Sequence, residues 1–506
     1  MERAAASCAA WLDRRRALVL ALFTLLFLAQ FAASARHKPL WHDEIYTVLL
    51  SRLPSVTAQW AALRDGVDLV PPLNGVATRA ILPLAGHGPV AVRIPAAIGF
   101  WTMVLAVFAL VRRRGSTALA LTAALVPFFT PAYRYSYEAR PYGLMMGLAA
   151  LAWWSWAEAA RGDRRRRSLT ILTLALAAGV WNHYYAVLVY VPIAAGELTR
   201  AIRARRIDAP LWSAIGVSAI ASLPLVPLIR AAAAQTGHFW AHPTPADVSA
   251  TYDFLFHDLL DTPLPWTVAV AAAIGVASRV RSDTLVAARD PIPPHEVAAA
   301  GAAVLLPLCG VLLALALTGA FVPRYGLAAI GAVSVVLPLT ISRLARGGPA
   351  IDLVLLVALA VPYARTLPAA IQAPPFENPV SARPLLEASL RQPGPTIASA
   401  QLWFLQLWYY APPELKTKMI YVADPEHSLR YTGSDTMDRN YLALARCTAV
   451  PVERLDVLLQ RHRDFRIYGS GSGWLLDWLR DARAQVDMIG TEAGGQLYNA
   501  SVPTSR

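Results

Sequence analysis

Apolar stretches long enough to cross a bilayer recur along this chain, and clusters of arginine punctuate them. A spanning helix needs about 20 consecutive apolar residues. The candidate stretches are 17–33, 90–111, 116–133, 141–160, 168–182, 186–200, 211–231, 265–280, 298–320, 325–342 and 350–368. The arginines fall at Arg14-Arg15-Arg16, at Arg112-Arg113-Arg114, from Arg161 to Arg167, from Arg200 to Arg206, from Arg279 to Arg289, and at Arg343 with Arg346. Lys and Arg are retained on the cytoplasmic side of membranes, so placing every cluster and the amino terminus there gives one self-consistent topology. It predicts a polytopic α-helical membrane protein of about 11 transmembrane helices, amino terminus inside and carboxyl terminus outside. With 56% hydrophobic and only 16% charged residues in 506, the chain is too apolar for an ordinary soluble protein of its size. Its formal charge of +13 sits in short runs between apolar stretches, a topology signal, so no nucleic-acid partner is expected.

One region tests the topology. Residues 168–198 could form a single long helix, which would put Arg164–Arg167 and Arg200–Arg206 on opposite faces of the membrane. Two short crossings that turn at Trp181-Asn182-His183-Tyr184-Tyr185 keep both clusters inside, so a hairpin is expected. The first stretch reads as an uncleaved signal anchor, although small residues follow it at Ala32-Ala33-Ser34-Ala35. Cys8, Cys309 and Cys447 fall inside, within a span and outside, so no intramolecular disulfide joins them.

Hydropathy drops after Leu367 and proline becomes dense, at Pro374, Pro375, Pro379, Pro384, Pro393 and Pro395. This divides the chain into a transmembrane domain, 1–368, with a first outer segment at 34–89, and an extracytoplasmic α/β domain, 369–506. Strands are expected at 396–400, 419–423 and 465–468, and helices at 401–411 and 473–482. Gly469-Ser470-Gly471-Ser472-Gly473 stands between a strand and a helix. It lacks the P-loop lysine and the dinucleotide spacing, and a plain turn is the preferred reading over a phosphate cradle.

The outer segments hold the candidate chemistry. The first contains Trp41-His42-Asp43-Glu44 and Pro71-Pro72-Leu73, with amphipathic runs that read as interfacial helices. The second is Arg134-Tyr135-Ser136-Tyr137-Glu138-Ala139-Arg140-Pro141-Tyr142, and a later span ends at Phe321-Val322-Pro323-Arg324-Tyr325. Two adjacent carboxylates at a membrane surface are expensive to hold unless one of them is used. No ATP motif is present, and nucleotides are absent outside a bacterial inner membrane, so a transferase there takes its donor through the lipid. A polyprenyl-phosphate sugar fits. Its departing phosphate gains charge that Arg140, Arg324 and Lys38 would stabilise, and a carboxylate would take the acceptor's proton. Other readings stand beside these. Glu138 and Arg140 could simply close their own loop, and Arg93 and Arg324 could be snorkelling residues at span ends. His183 could be a packing histidine. His238, His242 and His257 fit no ligand spacing, and a divalent metal is left open.

In order, Leu40-Trp41-His42-Asp43-Glu44, Val70-Pro71-Pro72-Leu73, Val92-Arg93-Ile94-Pro95-Ala96-Ala97, Tyr135 through Tyr142, Asn182-His183-Tyr184-Tyr185 and Val322-Pro323-Arg324-Tyr325 resemble the landmarks of the GT-C glycosyltransferases. The nearest groups are the protein O-mannosyltransferases and the lipid A aminoarabinose transferases, and the likeness spans about residues 10–345. It implies Asp43 as general base with Glu44 as its understudy, and Arg140 and Arg324 near the donor phosphate. It further implies a substrate cavity lined by Tyr142 and Tyr325, and inversion at the anomeric carbon; Glu138, His183 and Tyr46 are further candidates for the cavity lining. The acceptor would be a cell-envelope glycan, lipid or protein. Asn74-Gly75 replaces the aromatic and aliphatic residues that usually follow Pro-Pro-Leu, so acceptor contacts are not carried over there. A transporter or flippase of a lipid-linked saccharide is the alternative. It would show repeated halves and mid-span charges, and neither is visible in the sequence.

Overall fold

A computed structural model of the chain describes residues 2–162, 164–267, 269, 291–345, 348–492 and 494–503. Nearly all of the expected stretch 265–280, the arginines from Arg279 to Arg289, and Arg346 lie outside the described residues. The chain divides into two compact units. The first comprises Met1–Ala35, Val90–Leu225 and Pro243–Ala373, and the second Arg36–Pro89, Val226–His242 and Pro374–Arg506.

Among the described residues, helices occupy the expected apolar stretches of the first unit. Among the described residues, length and composition qualify Arg16–His37, Pro89–Arg112, Tyr184–Ala204, Ala209–His238 and Pro349–Gln372 as membrane spans. Pro294–Val304 and Leu306–Thr318 make a further span if counted together, bent by 52° at their junction. Pro307 accounts for the break, because its ring removes a backbone donor and crowds the preceding turn. Thr117–Phe129 and Ala329–Leu344 are apolar but shorter.

The arginine clusters gather at one end of this unit. Asp208 accepts from both Arg165 and Arg200, and Glu197 holds Arg200 at 2.7 Å. A continuous helix would put Arg165 and Arg200 roughly 50 Å apart. Their shared partner therefore requires a hairpin, with helix Arg165–Asn182 ending where the sequence places the turn. The same end carries Arg114 against Glu296 at 2.6 Å, Arg113 against Glu158, and Arg112 against Asp13 at 3.3 Å. Asp352, in the first turn of Pro349–Gln372, accepts from Ser116 and Ser342, each at 2.6 Å. A carboxylate there also suits the positive end of the helix dipole.

Glycines set the closest helix contact. A methyl at Gly147 would come within 2.3 Å of the Gly99 carbonyl, and one at Gly143 within 2.4 Å of the Ala96 carbonyl. Gly143 and Gly147 thus form a GxxxG face by which Tyr142–Arg161 lies directly against Pro89–Arg112.

The second unit is built on a six-stranded sheet. Its strands are β1 (Thr396–Ala398), β2 (Met419–Ala423), β3 (Val452–Arg454), β4 (Asp464–Gly469), β5 (Gln485–Glu492) and β6 (Gly495–Ser501), in the order β3-β2-β1-β4-β6-β5. The first four run parallel, and β6 and β5 are added antiparallel. The sequence signal found β1, β2 and β4 because they are buried apolar runs. It missed β3, which is three residues long, β5, whose residues are mostly exposed, and β6, where polar residues interrupt the apolar ones. The glycine-rich segment is the turn from β4 into helix Trp474–Asp481, with positive φ at Gly471 (78°) and Gly473 (129°).

The first outer segment folds into this same unit as helices His42–Ser51, Val56–Arg64 and Leu73–Ala85. Helix His42–Ser51 differs from the expected interfacial helix, since it is buried almost all the way round. Within the unit it is tied to the C-terminal domain: Gln406 donates to the Leu40 carbonyl at 2.9 Å, and the Leu40 N–H donates to the Tyr410 hydroxyl at 2.7 Å.

Candidate functional site

The first unit collects a cationic and aromatic cluster at the end opposite its arginine belt. Tyr142 opens helix Tyr142–Arg161, and Arg324 arrives on the short turn Pro323–Gly326. The Arg324 Nε donates to the Tyr142 hydroxyl at 2.7 Å, and its guanidinium carbon lies 5.6 Å from the Tyr142 ring centre. A hydrogen bond of this charge-assisted kind contributes about 1.5–3 kcal/mol. Arg324 keeps partial exposure and lies across an aromatic ring. Arg140 is 6% exposed and Glu138 2%, on a turn tight enough for the Arg140 N–H to reach the Glu138 carbonyl at 2.7 Å.

His183 stands where the hairpin turns. Its ring centre is 5.4 Å from that of Tyr142 and 5.0 Å from that of Tyr325, and Tyr325 packs in turn on Tyr185 at 4.6 Å. The Tyr185 N–H donates to His183 Nδ1 at 3.2 Å, so the ring is the neutral Nε2–H tautomer. Burial, reinforced by the Arg140 and Arg324 guanidinium groups, pushes the His183 pKa down to about 3. The turn is held by the Asn182 amide, which donates to the Pro141 carbonyl at 2.7 Å. Arg140, Tyr142, His183, Arg324 and Tyr325 thus meet from three separate segments. Asn182 and Tyr185 belong to the same cluster but went unassigned, although both stand in the Asn-His-Tyr-Tyr motif.

The second unit holds Lys38, Asp43, Glu44 and Tyr46. Neighbouring carboxylates on one helical turn meet different surroundings. Glu44 is fully buried, accepts from the Trp41 N–H at 3.2 Å and has Lys38 Nζ at 3.8 Å, whereas Asp43 keeps partial exposure. Glu44 therefore works as half of a capping box at the helix start. Tyr441 from the C-terminal domain donates to the Gln401 carbonyl at 2.7 Å, so its hydroxyl accepts from His42 Nδ1 at 3.2 Å. Tyr46 lies 5.1 Å from His42 and 6.1 Å from Tyr441 between ring centres. Behind them Tyr421 stacks on Tyr441 at 4.2 Å and donates to the buried Asp438. Nothing in the sequence pointed to Tyr441, Tyr421 or Asp438, which lie roughly 400 residues from the helix they support.

Among the described residues no three His, Cys, Asp or Glu side chains gather to hold a metal ion. His238 instead pairs with Asp435 at 3.2 Å, and His257 with Asp253 of its own helix at 3.3 Å.

Residues 70–229 match the family model described as dolichyl-phosphate-mannose-protein mannosyltransferase. The crystal structure of apo ArnT from Cupriavidus metallidurans aligns with 96% of this chain and 98% of its own, at a TM-score of 0.59 and 11% identity. The fold is that of the GT-C glycosyltransferases. The likeness extends over both units, since it covers 96% of the chain. ArnT bound to undecaprenyl phosphate aligns over the same shares at a TM-score of 0.54 and 12% identity. An Archaeoglobus fulgidus oligosaccharyltransferase in complex with Zn and sulfate aligns with 88% of this chain and 68% of its own, at a TM-score of 0.47 and 12% identity. No curated protein matches this chain in sequence.

Proposed function

We propose that the protein is an inverting glycosyltransferase that moves a sugar from a polyprenyl-phosphate donor to a hydroxyl or phosphate of a cell-envelope glycan, lipid or protein. The reaction would take place on the outer face of the bacterial inner membrane. The acceptor oxygen forms a bond to the anomeric carbon as the bond from that carbon to the phosphate oxygen breaks. Asp43 takes the acceptor's proton, and the phosphate leaves with the bonding pair. Arg140 and Arg324 neutralise the charge that it gains. Preformed cations in a site with little water stabilise a leaving phosphate far better than solvent does.

The observation that carries this reading is the placing of a buried Arg140 and a half-buried Arg324 among Tyr142, His183 and Tyr325. Two guanidinium groups kept in aromatic surroundings suit a phosphate, and the neighbouring histidine stays neutral and adds no charge. Binding of undecaprenyl phosphate by ArnT, which shares the fold, supports a polyprenyl-phosphate donor. The partial exposure of Asp43 beside a fully buried Glu44 supports Asp43 as the base.

The decisive experiment is transfer in proteoliposomes supplied with polyprenyl-phosphate sugars. Asp43→Asn is expected to lower turnover roughly 100-fold or more with an unchanged thermal midpoint. Unchanged turnover would remove Asp43 as the base, and no transfer by the unaltered protein from any such donor would remove the reading itself.

A further inference from the structure

The first unit contains a cavity of about 250 Å3 at its arginine-rich end, away from the cluster around Arg324. Its walls come from four helices, and its chemistry is graded along its depth. Arg114 and Glu296, paired at 2.6 Å, stand at its charged end. Gly301, Val304 and Leu339 line the deeper part, which is apolar. From Glu296 to Val304 the wall helix runs roughly 12 Å. The volume holds about eight groups of water's size, at on the order of 30 Å3 each. That is room for a length of alkyl chain. A methyl added at Gly301 would meet nothing within 4 Å, so the space is open at that wall.

We propose that this cavity binds one chain of a phospholipid with an anionic headgroup, whose phosphate lies at Arg114. Charge complementarity selects this occupant. The lining carries Arg113 and Arg114 against the carboxylate of Glu296, and basic pockets between spanning helices attract anionic headgroups. A guanidinium presents five N–H donors in a planar fork, so Arg114 can meet a phosphate and keep Glu296. The carrier phosphate of the transfer reaction is the wrong occupant on distance. Helix Tyr142–Arg161, which runs from one cluster to the other, is about 30 Å long.

The test uses the full-length protein in detergent, titrated with phosphatidylglycerol and with phosphatidylcholine of the same chains, with bound lipid counted by native mass spectrometry. Phosphatidylglycerol is expected to bind roughly ten-fold tighter. Gly301→Trp fills the cavity and should abolish that binding, while Gly301→Ala, whose methyl fits, should retain it and shows that the helix tolerates a side chain there. Arg114→Ala should reduce phosphatidylglycerol to the level of phosphatidylcholine. Equal binding of the two lipids by the unaltered protein, or phosphatidylglycerol binding unchanged in Gly301→Trp, would overturn the proposal. So would undecaprenyl phosphate displacing phosphatidylglycerol at equal concentration. None of these readouts depends on sugar transfer.

Discussion

Asp43 and Glu44 differ in what the next shell of atoms offers them. The Trp41 N–H and Lys38 surround Glu44, which ties it to the start of helix His42–Ser51. Glu44→Gln should therefore lower stability by about 1 kcal/mol through the weakened cap, visible as a lower thermal midpoint, and leave more activity than Asp43→Asn does. At Arg324 the fork matters as much as the charge. Arg324→Lys keeps the charge but loses the planar contact with Tyr142, and kcat/KM should fall roughly 100-fold. Asp438 supplies the pH dependence. Burial raises its pKa from 3.8 to about 6, despite the hydrogen bond from Tyr421 that opposes the rise. Between those values the folded chain holds a proton that the unfolded chain has released. Stability is therefore full below about pH 4 and falls as pH rises through 6, by about 3 kcal/mol from this group alone. Asp438→Asn should flatten that part of the profile and raise the thermal midpoint at neutral pH, because it removes a buried charge while still accepting from Tyr421.

At the level of elements, backbone proximity and ion pairing do the work. Ala96, Gly99, Gly143 and Gly147 bring two helices together with no side chain between them. Gly147→Leu should drive those helices apart and abolish the monodisperse folded peak in detergent gel filtration, whereas a leucine at Gly216, where a methyl would meet nothing within 4 Å, should be tolerated. The GxxxG spacing was readable in the sequence, but its partner helix was not, because spacing names a face and not what lies against it. The hairpin at Asn182–Tyr185 was readable, because two arginine clusters cannot easily occupy opposite sides of a membrane. Strands β3, β5 and β6 were not, since a short strand and two strands of mixed polarity leave no long run of apolar residues.

At the scale of the whole chain, the second unit joins segments far apart in sequence. The helix that carries Asp43 leans on Gln406, Tyr410 and Tyr441, so the C-terminal domain supports the proposed base. A chain ending at residue 373 should still insert in the membrane, but its 36–89 segment should become sensitive to protease and its transfer activity should be lost. Protection of that segment in the shortened chain, seen by limited proteolysis of oriented vesicles, would contradict this support.

Taken alone, the sequence determined what is periodic or local: where apolar runs meet the length of a bilayer, which clusters share a face, and which motifs resemble GT-C landmarks. Solvent imposes those features, so every stretch reports them independently. Tertiary structure alone decided that Glu44 caps a helix, that His183 is neutral between two arginines, and that Tyr441 and Asp438 stand behind His42. Those outcomes depend on desolvation and on contacts between residues hundreds of positions apart, and no local pattern encodes which distant side chain will arrive.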